Sequence, residues 1–314
     1  MEYLTLALGF IFLIKGADLF VDGASSLAKR YGIPSLVIGL TIVSFGTGAP
    51  EAAISISSAI KGANELTLGN VIGSNIFNLL IVLGVASAIS PIYIKRNTIR
   101  TEFPFLFLIS TVLLILAGDI ALGTADRNLL DRGDGLILLC FFLIFLYYLA
   151  GLMFKNSEEI EEDVELIPLR KSLSYIALGM IGIWLGGEWV VDSSVSIAEK
   201  FGISETVIGL TIISIGTSLP ELITSIVASI KDENEIAVGN VVGSSIFNVL
   251  FVLGISTVIK PVDVGFESLY DMLILLAMTS IVFIYAASNK KIGSYKGASM
   301  VIIYAVYMVY IVLR

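Results

Sequence analysis

The residues best able to do chemistry in this chain are two glutamates embedded in apolar surroundings. The phrase TIVSFGTGAPE runs from Thr41 to Glu51, and TIISIGTSLPE runs from Thr211 to Glu221. Proline has no N–H and its ring clashes with the carbonyl four residues back, so Pro50 predicts a disturbed helix at Gly46 and Pro220 one at Gly216. Glycine just before the proline adds backbone freedom and close access. Carbonyls released at such a break must face protein or a polar cavity, where they can act as hard oxygen ligands. Glu51 and Glu221 then fall in the first turn of the second half-helix, whose positive dipole end favours a carboxylate. An acid inside an apolar segment is costly without a cation or proton, and it marks an ion or substrate pathway.

Oxygen-bearing residues recur around both acids. Ser44, Thr47, Glu51 and Ser55 follow helical spacing, as do Ser214, Thr217, Glu221 and Ser225. In the next segments, GNVIGSNIFN places Asn70, Ser74 and Asn78 on one face, and GNVVGSSIFN repeats this with Asn240, Ser244 and Asn248. Any one serine or threonine here reads more simply as a helix-packing residue, and so do the glycines four apart, Gly69 with Gly73 and Gly239 with Gly243. The paired glutamates do not admit that reading. Four stripes meeting at one site would supply carboxylates, hydroxyls, amide oxygens and carbonyls without thiolate or imidazole. Calcium and sodium suit such a set better than zinc or copper.

The elements that position these residues are membrane helices. Of 314 residues 56% are hydrophobic and 15% charged, and the mean hydropathy is +0.94. Apolar stretches of about 20 residues, each able to cross a bilayer, succeed one another along the chain. The expected spans are 2–26, 36–61, 66–89, 103–121, 134–154, 172–197, 206–231, 236–259, 269–287 and 297–313. Residues 11–91 align without a gap on residues 181–261 at an offset of 170, the separation of Glu51 from Glu221, with about half the positions identical. Five crossings per copy force the second copy to enter from the opposite side. The expected fold is therefore all-α, with ten transmembrane helices in two inverted five-helix repeats and broken helices 2 and 7. The repeats would be 1–154 and 172–314, joined by an acidic cytoplasmic loop at 155–171.

Loop charge sets the orientation. With the N-terminus outside, inner loops hold Lys29, Arg30, Lys95, Arg96, Arg100, Lys155, Arg170, Lys171, Lys231, Lys290, Lys291 and Lys296, and the outer side holds Lys61, Arg127, Arg132, Lys200, Lys260 and Arg314. Both termini are thus expected outside a cell membrane. SEEIEEDVE, Ser157 to Glu165, reads as a solvated loop and receives no role. The single cysteine, Cys140, cannot form an internal disulfide, and the absence of histidine removes imidazole ligands and relays. The first apolar run has no basic leader region and is expected to be a retained helix. No cofactor, nucleic-acid or obligate protein partner is expected, only transported ions and the lipid bilayer.

GTGAPE with GNVIGSNIFN, and GTSLPE with GNVVGSSIFN, resemble the two alpha-repeats of the sodium/calcium exchanger family, within the calcium/cation antiporter superfamily. The resemblance implies alternating access, with calcium held by Glu51, Glu221 and the carbonyls of Thr47 and Thr217. Sodium sites would draw on Ser44, Thr47, Glu51 and Ser74 in one half and on Ser214, Thr217, Glu221 and Ser244 in the other. Asn78 and Asn248 would complete the central site, and Ser218 would add a hydroxyl. It also implies exchange of three sodium ions for one calcium. Potassium-dependent relatives carry aspartate where this chain has Asn248, which implies potassium independence; Gly48 replaces a serine usual in the motif, whereas Ser218 keeps it. Proton/calcium exchange within the same superfamily is the nearest alternative, and the lack of histidine argues against it. A cation channel could also use broken helices and carbonyls, but inverted repeats meeting at one site favour a carrier. No nucleophile and base pair or nucleotide motif supports an enzyme.

Overall fold

Helix α1 (Glu2–Tyr31) carries Gly9, Gly16 and Gly23 at seven-residue spacing, and these glycines admit the backbone of α7 (Leu169–Lys200). A Cβ on Gly16 would stand 2.7 Å from the Ile183 nitrogen, and one on Gly186 2.6 Å from the Leu13 nitrogen. Lipid offers no hydrophobic gain for pairing larger side chains, so close backbone approach is what holds such helices together. In this computed structural model residues 2–123, 126–155, 167–201 and 214–313 are described.

The first broken helix is where the prolines place it. α2 (Ser35–Thr47) and α3 (Ala49–Lys61) meet at 55°, with Gly48 between them at φ −78°, ψ 0° and Pro50 in the first turn of α3. The break thus falls two residues after Gly46, because proline fits the first turn of the new half-helix, where its missing N–H has no helical partner to lose. The second copy repeats it: α8 (Ser214–Thr217) joins α9 (Leu219–Ile230) through Ser218 at φ −94°, ψ 6°. The rest of the expected seventh span, up to residue 213, lies outside the described residues, as does most of the acidic loop, 156–166.

Six further helices follow the apolar runs: α4 (Leu66–Ile89), α5 (Arg96–Leu116), α6 (Arg132–Met153), α10 (Asn234–Ile259), α11 (Phe266–Ala287) and α12 (Ser294–Ile311). Among the described residues eight helices are long and apolar enough to cross a membrane, and the bent α2–α3 pair makes a ninth, against ten expected. The fourth span is displaced from 103–121 to Arg96–Leu116. Pro104 sits in the first turn of the part beginning at Glu102, and the backbone leaves helical geometry at Gly118.

α4 and α10 are the enclosed helices, with 72% and 78% of their most apolar stretches buried against no more than 33% in the other long helices. Each contains a widened π turn, Asn78–Val82 in α4 and Asn248–Leu253 in α10. Such turns shift the register of side chains around a helix and concentrate at functional sites. The other helices present apolar side chains outward, among them Leu4, Ile11, Tyr147 and Ile302. Two short antiparallel ladders tie the halves together: β1 (Ile92–Tyr93) with β4 (Lys291–Ile292), and β2 (Leu129–Leu130) with β3 (Val262–Asp263).

Candidate ion site

The two breaks deliver their acids to one place. Glu51 and Glu221 are 1% and 0% exposed, and a Cβ on Gly48 would lie 3.6 Å from both Glu221 Oε1 and Glu51 Oε2. Across the first break the backbone ladder links Gly48 N to Ser44 O at 3.0 Å and resumes with Ala52 N to Gly48 O at 3.0 Å. It passes over the Thr47 carbonyl.

Matching braces hold the two half-helices. Asn70 Nδ2 donates to the Glu51 carbonyl at 3.2 Å and to Ser55 Oγ at 2.8 Å, and Asn240 Nδ2 donates to the Glu221 carbonyl at 3.2 Å and to Ser225 Oγ at 2.9 Å. Each asparagine therefore anchors the turn that carries the acid and leaves the acid's side chain for other work. Cross-half bonds knit the copies: Thr47 Oγ1 donates to Asn240 Oδ1 at 3.0 Å, and Ser218 Oγ donates to Glu51 Oε1 at 2.7 Å. Gly239 and Gly243 let α10 close on α2, since a Cβ on Gly243 would be 2.8 Å from Ser44 Oγ. Ser44 is buried there, donating to the Leu40 carbonyl at 2.8 Å, and Ser244 Oγ reaches the Ser44 carbonyl at 3.5 Å.

What remains unpartnered defines the chemistry. Glu51 Oε2, both carboxylate oxygens of Glu221, the side-chain amide of Asn78 and Asn248 Oδ1 are buried without a hydrogen bond. The π turn beginning at Asn248 packs against α3, and the one beginning at Asn78 packs against α9, so each asparagine serves the half-helix of the opposite copy. Unsatisfied buried oxygens cost free energy unless something compensates them, and a hard cation is what a cluster of oxygens without nitrogen or sulfur donors compensates. Ser74 and Thr217 are buried as well. The side chain of Ser214 lies outside the described residues.

Three participants escaped the sequence reading. Asn75 Nδ2 donates to the Ser245 carbonyl at 3.1 Å, and Asn248 Nδ2 approaches Asn75 Oδ1 at 3.4 Å, so the midline between the copies is itself hydrogen-bonded. The signal was present, because Asn75 and Ser245 occupy the same repeat position with different polar residues. Thr224, buried with its hydroxyl unpartnered, had none: its repeat counterpart is Ile54.

The model of the family described as sodium/calcium exchanger protein matches residues 1–151 and 171–313. The chain belongs to the sodium/calcium exchanger family. It is 30% identical over 343 aligned positions to the sodium/calcium exchanger MaX1 of Methanosarcina acetivorans, covering 98% of each chain. It is 34% identical over 285 positions to the inner membrane protein YrbG of Escherichia coli K12, covering 87% of this chain and 85% of that one. Among solved structures, the sodium–calcium exchanger NCX_Mj soaked with zero Na+ and Ca2+ superimposes with a TM-score of 0.84 at 28% identity, over 99% of this chain and 98% of that one. This family member is thus an all-helical, multi-pass membrane transporter and not an enzyme.

Proposed function

We propose that this chain exchanges sodium for calcium across a cell membrane by alternating access, moving net charge and without using potassium. The observation that carries the proposal is the enclosed meeting of Glu51 and Glu221 with oxygens left unpaired. A calcium ion there exchanges its hydration shell for both carboxylates and the carbonyls of Thr47 and Thr217, and the two negative charges match its own. Sodium ions use the hydroxyls and carboxylates of each half: Ser44, Thr47, Glu51 and Ser74, then Ser214, Thr217, Glu221 and Ser244. Asn78 and Asn248 complete the centre and Ser218 contributes its hydroxyl. With neutral Asn248, two carboxylates serve calcium or sodium but not both together, which is the requirement for antiport.

The two copies, 1–154 and 172–314, run in opposite directions through the bilayer with both termini outside, and the segment 155–171 lies in the cytoplasm. The matched braces of Asn70 and Asn240 support the division into two like copies, and the lysine and arginine balance of the loops supports the orientation. No resident cofactor is proposed. Calcium uptake into sodium-loaded proteoliposomes, with proton and potassium gradients set independently, tests the reading. Uptake that needs the sodium gradient and ignores potassium is expected; uptake driven equally well by protons in sodium-free buffer identifies a proton exchanger, and flux without counter-ion identifies a channel.

A further inference from the structure

The 170-residue offset that relates Glu51 to Glu221 also relates three charged positions away from the ion site. Lys61 at the end of α3 corresponds to Lys231 just after α9, and Asp18 and Asp22 on α1 correspond to Glu188 and Asp192 on α7. The structure treats the two sets differently. Lys231 Nζ stands 2.6 Å from Asp18 Oδ1 and 2.6 Å from Asp22 Oδ1, and it donates to the Asp18 carbonyl at 3.0 Å. Lys61, Glu188 and Asp192 are exposed, and no ion pair joins any of them to another described residue.

Packing follows the charges. α1 lies along α9, whereas α7 makes no comparable contact along α3, its counterpart under the repeat. Glu188 and Asp192 lie within an apolar span, where an acid facing lipid is expensive, so the side they face is wet. Glu233 reinforces the closed set by pairing with Lys29 at 3.0 Å and accepting a hydrogen bond from Ser25. Its repeat counterpart is Ala63, so the open set lacks that support.

We propose that the two sets are alternating ionic latches: Lys231 with Asp18 and Asp22 seals one side of the membrane here, and Lys61 with Glu188 and Asp192 seals the other when α7 closes on α3. The proposal rests on the alternating-access reading above and adds the residues that hold each end shut. A partly exposed pair biases a two-state equilibrium by about fivefold, which is weak enough to reopen in every cycle. Because only the Lys231 side has the Glu233 support, the state seen here is the favoured one in the absence of ions.

The test uses the full chain in a Cys140→Ser background, reconstituted, with sodium-driven calcium uptake measured first. If this parent does not exchange, the transport reading fails and the latch falls with it. In an exchanging parent, the pairs Asp22→Cys with Lys231→Cys and Asp192→Cys with Lys61→Cys are treated with a short cleavable thiol cross-linker. Each cross-link is expected to lower exchange by at least about tenfold, with recovery on cleavage, since each traps one of two required states. Adding Lys231→Gln should speed cross-linking of the 61/192 pair about fivefold, because opening one latch favours closing the other. Single Lys61→Gln and Lys231→Gln variants give a readout without cross-linking: apparent calcium affinities at the two membrane faces should shift in opposite directions. Failure of the 61/192 pair to cross-link during turnover, full exchange after cross-linking, or shifts in the same direction would overturn the latch while leaving sodium/calcium exchange intact.

Discussion

Replacing Glu221 by glutamine separates an acid that holds a cation from one that holds the fold. Glu221 is fully buried and neither carboxylate oxygen meets a donor in good hydrogen-bond geometry, so the neutral amide forfeits little that the protein supplies. In the cation-free protein the change removes one of two like charges that share a site, and melting in calcium-free buffer should be no lower than for the parent. With calcium bound the effect reverses, because stripping one partner from a buried charge interaction costs about 3–5 kcal/mol. That corresponds to a loss of about 10²–10⁴ in calcium affinity. Calcium at about 100 times its dissociation constant stabilises the parent by about 2.7 kcal/mol, a rise of roughly 4 °C in a chain of this size. At the same calcium concentration the variant should show no rise. Thermal melts with and without calcium, alongside uptake in proteoliposomes, check both signs. A Glu221→Gln protein that melts well below the parent in calcium-free buffer yet keeps the full calcium shift would refute the reasoning, since its carboxylate would then be structural.

Gly48→Ser places a side chain 3.6 Å from Glu221 Oε1, mirroring the Ser218 bond to Glu51, and should change calcium affinity by up to about tenfold, more than Ser218→Thr does. The same Cβ comes within 2.9 Å of the Ser44 carbonyl, so affinity and melting are measured on one sample; lowered stability with unchanged affinity would assign Gly48 to packing alone. Asn248→Asp adds a charge to an enclosed cluster of carboxylates and should bring stronger proton inhibition or a response to potassium, read from uptake across pH and potassium series. Unchanged profiles would place Asn248 outside the site. Tyr148→Phe removes the hydroxyl that donates to buried Glu102, whose other oxygen is unpartnered, and should destabilise the protein by about 1.5–3 kcal/mol while leaving the calcium-induced shift in place.

Much of the site was legible because the chain states it twice. A single proline-glutamate step in an apolar run reads as a kink, but its recurrence 170 residues later pointed to two breaks, set two residues early at Gly46 and Gly216, and to the asparagine stripes beside them, whose bracing bonds only the structure shows. Span ends were less legible: hydrophobicity alone carried the fourth helix to residue 121, whereas local backbone geometry ends it at Leu116. The π turns at Asn78 and Asn248 left no local mark, since one extra residue in a helical turn changes register without changing composition. Differences between the copies were visible as residues, and at Gly48 against Ser218 as a hydroxyl present in one half only; which acid that hydroxyl serves was not. Gly48 against Ser218 is one letter in the sequence, yet in the structure Ser218 donates to Glu51, while Gly48, beside Glu221, has no hydroxyl to return the bond. A repeat specifies what the halves share, whereas the alternating access proposed above needs them to differ. The structure pairs Lys231 with Asp18 and Asp22, whereas Lys61 makes no ion pair with another described residue, a difference that two lysines at matching repeat positions do not announce.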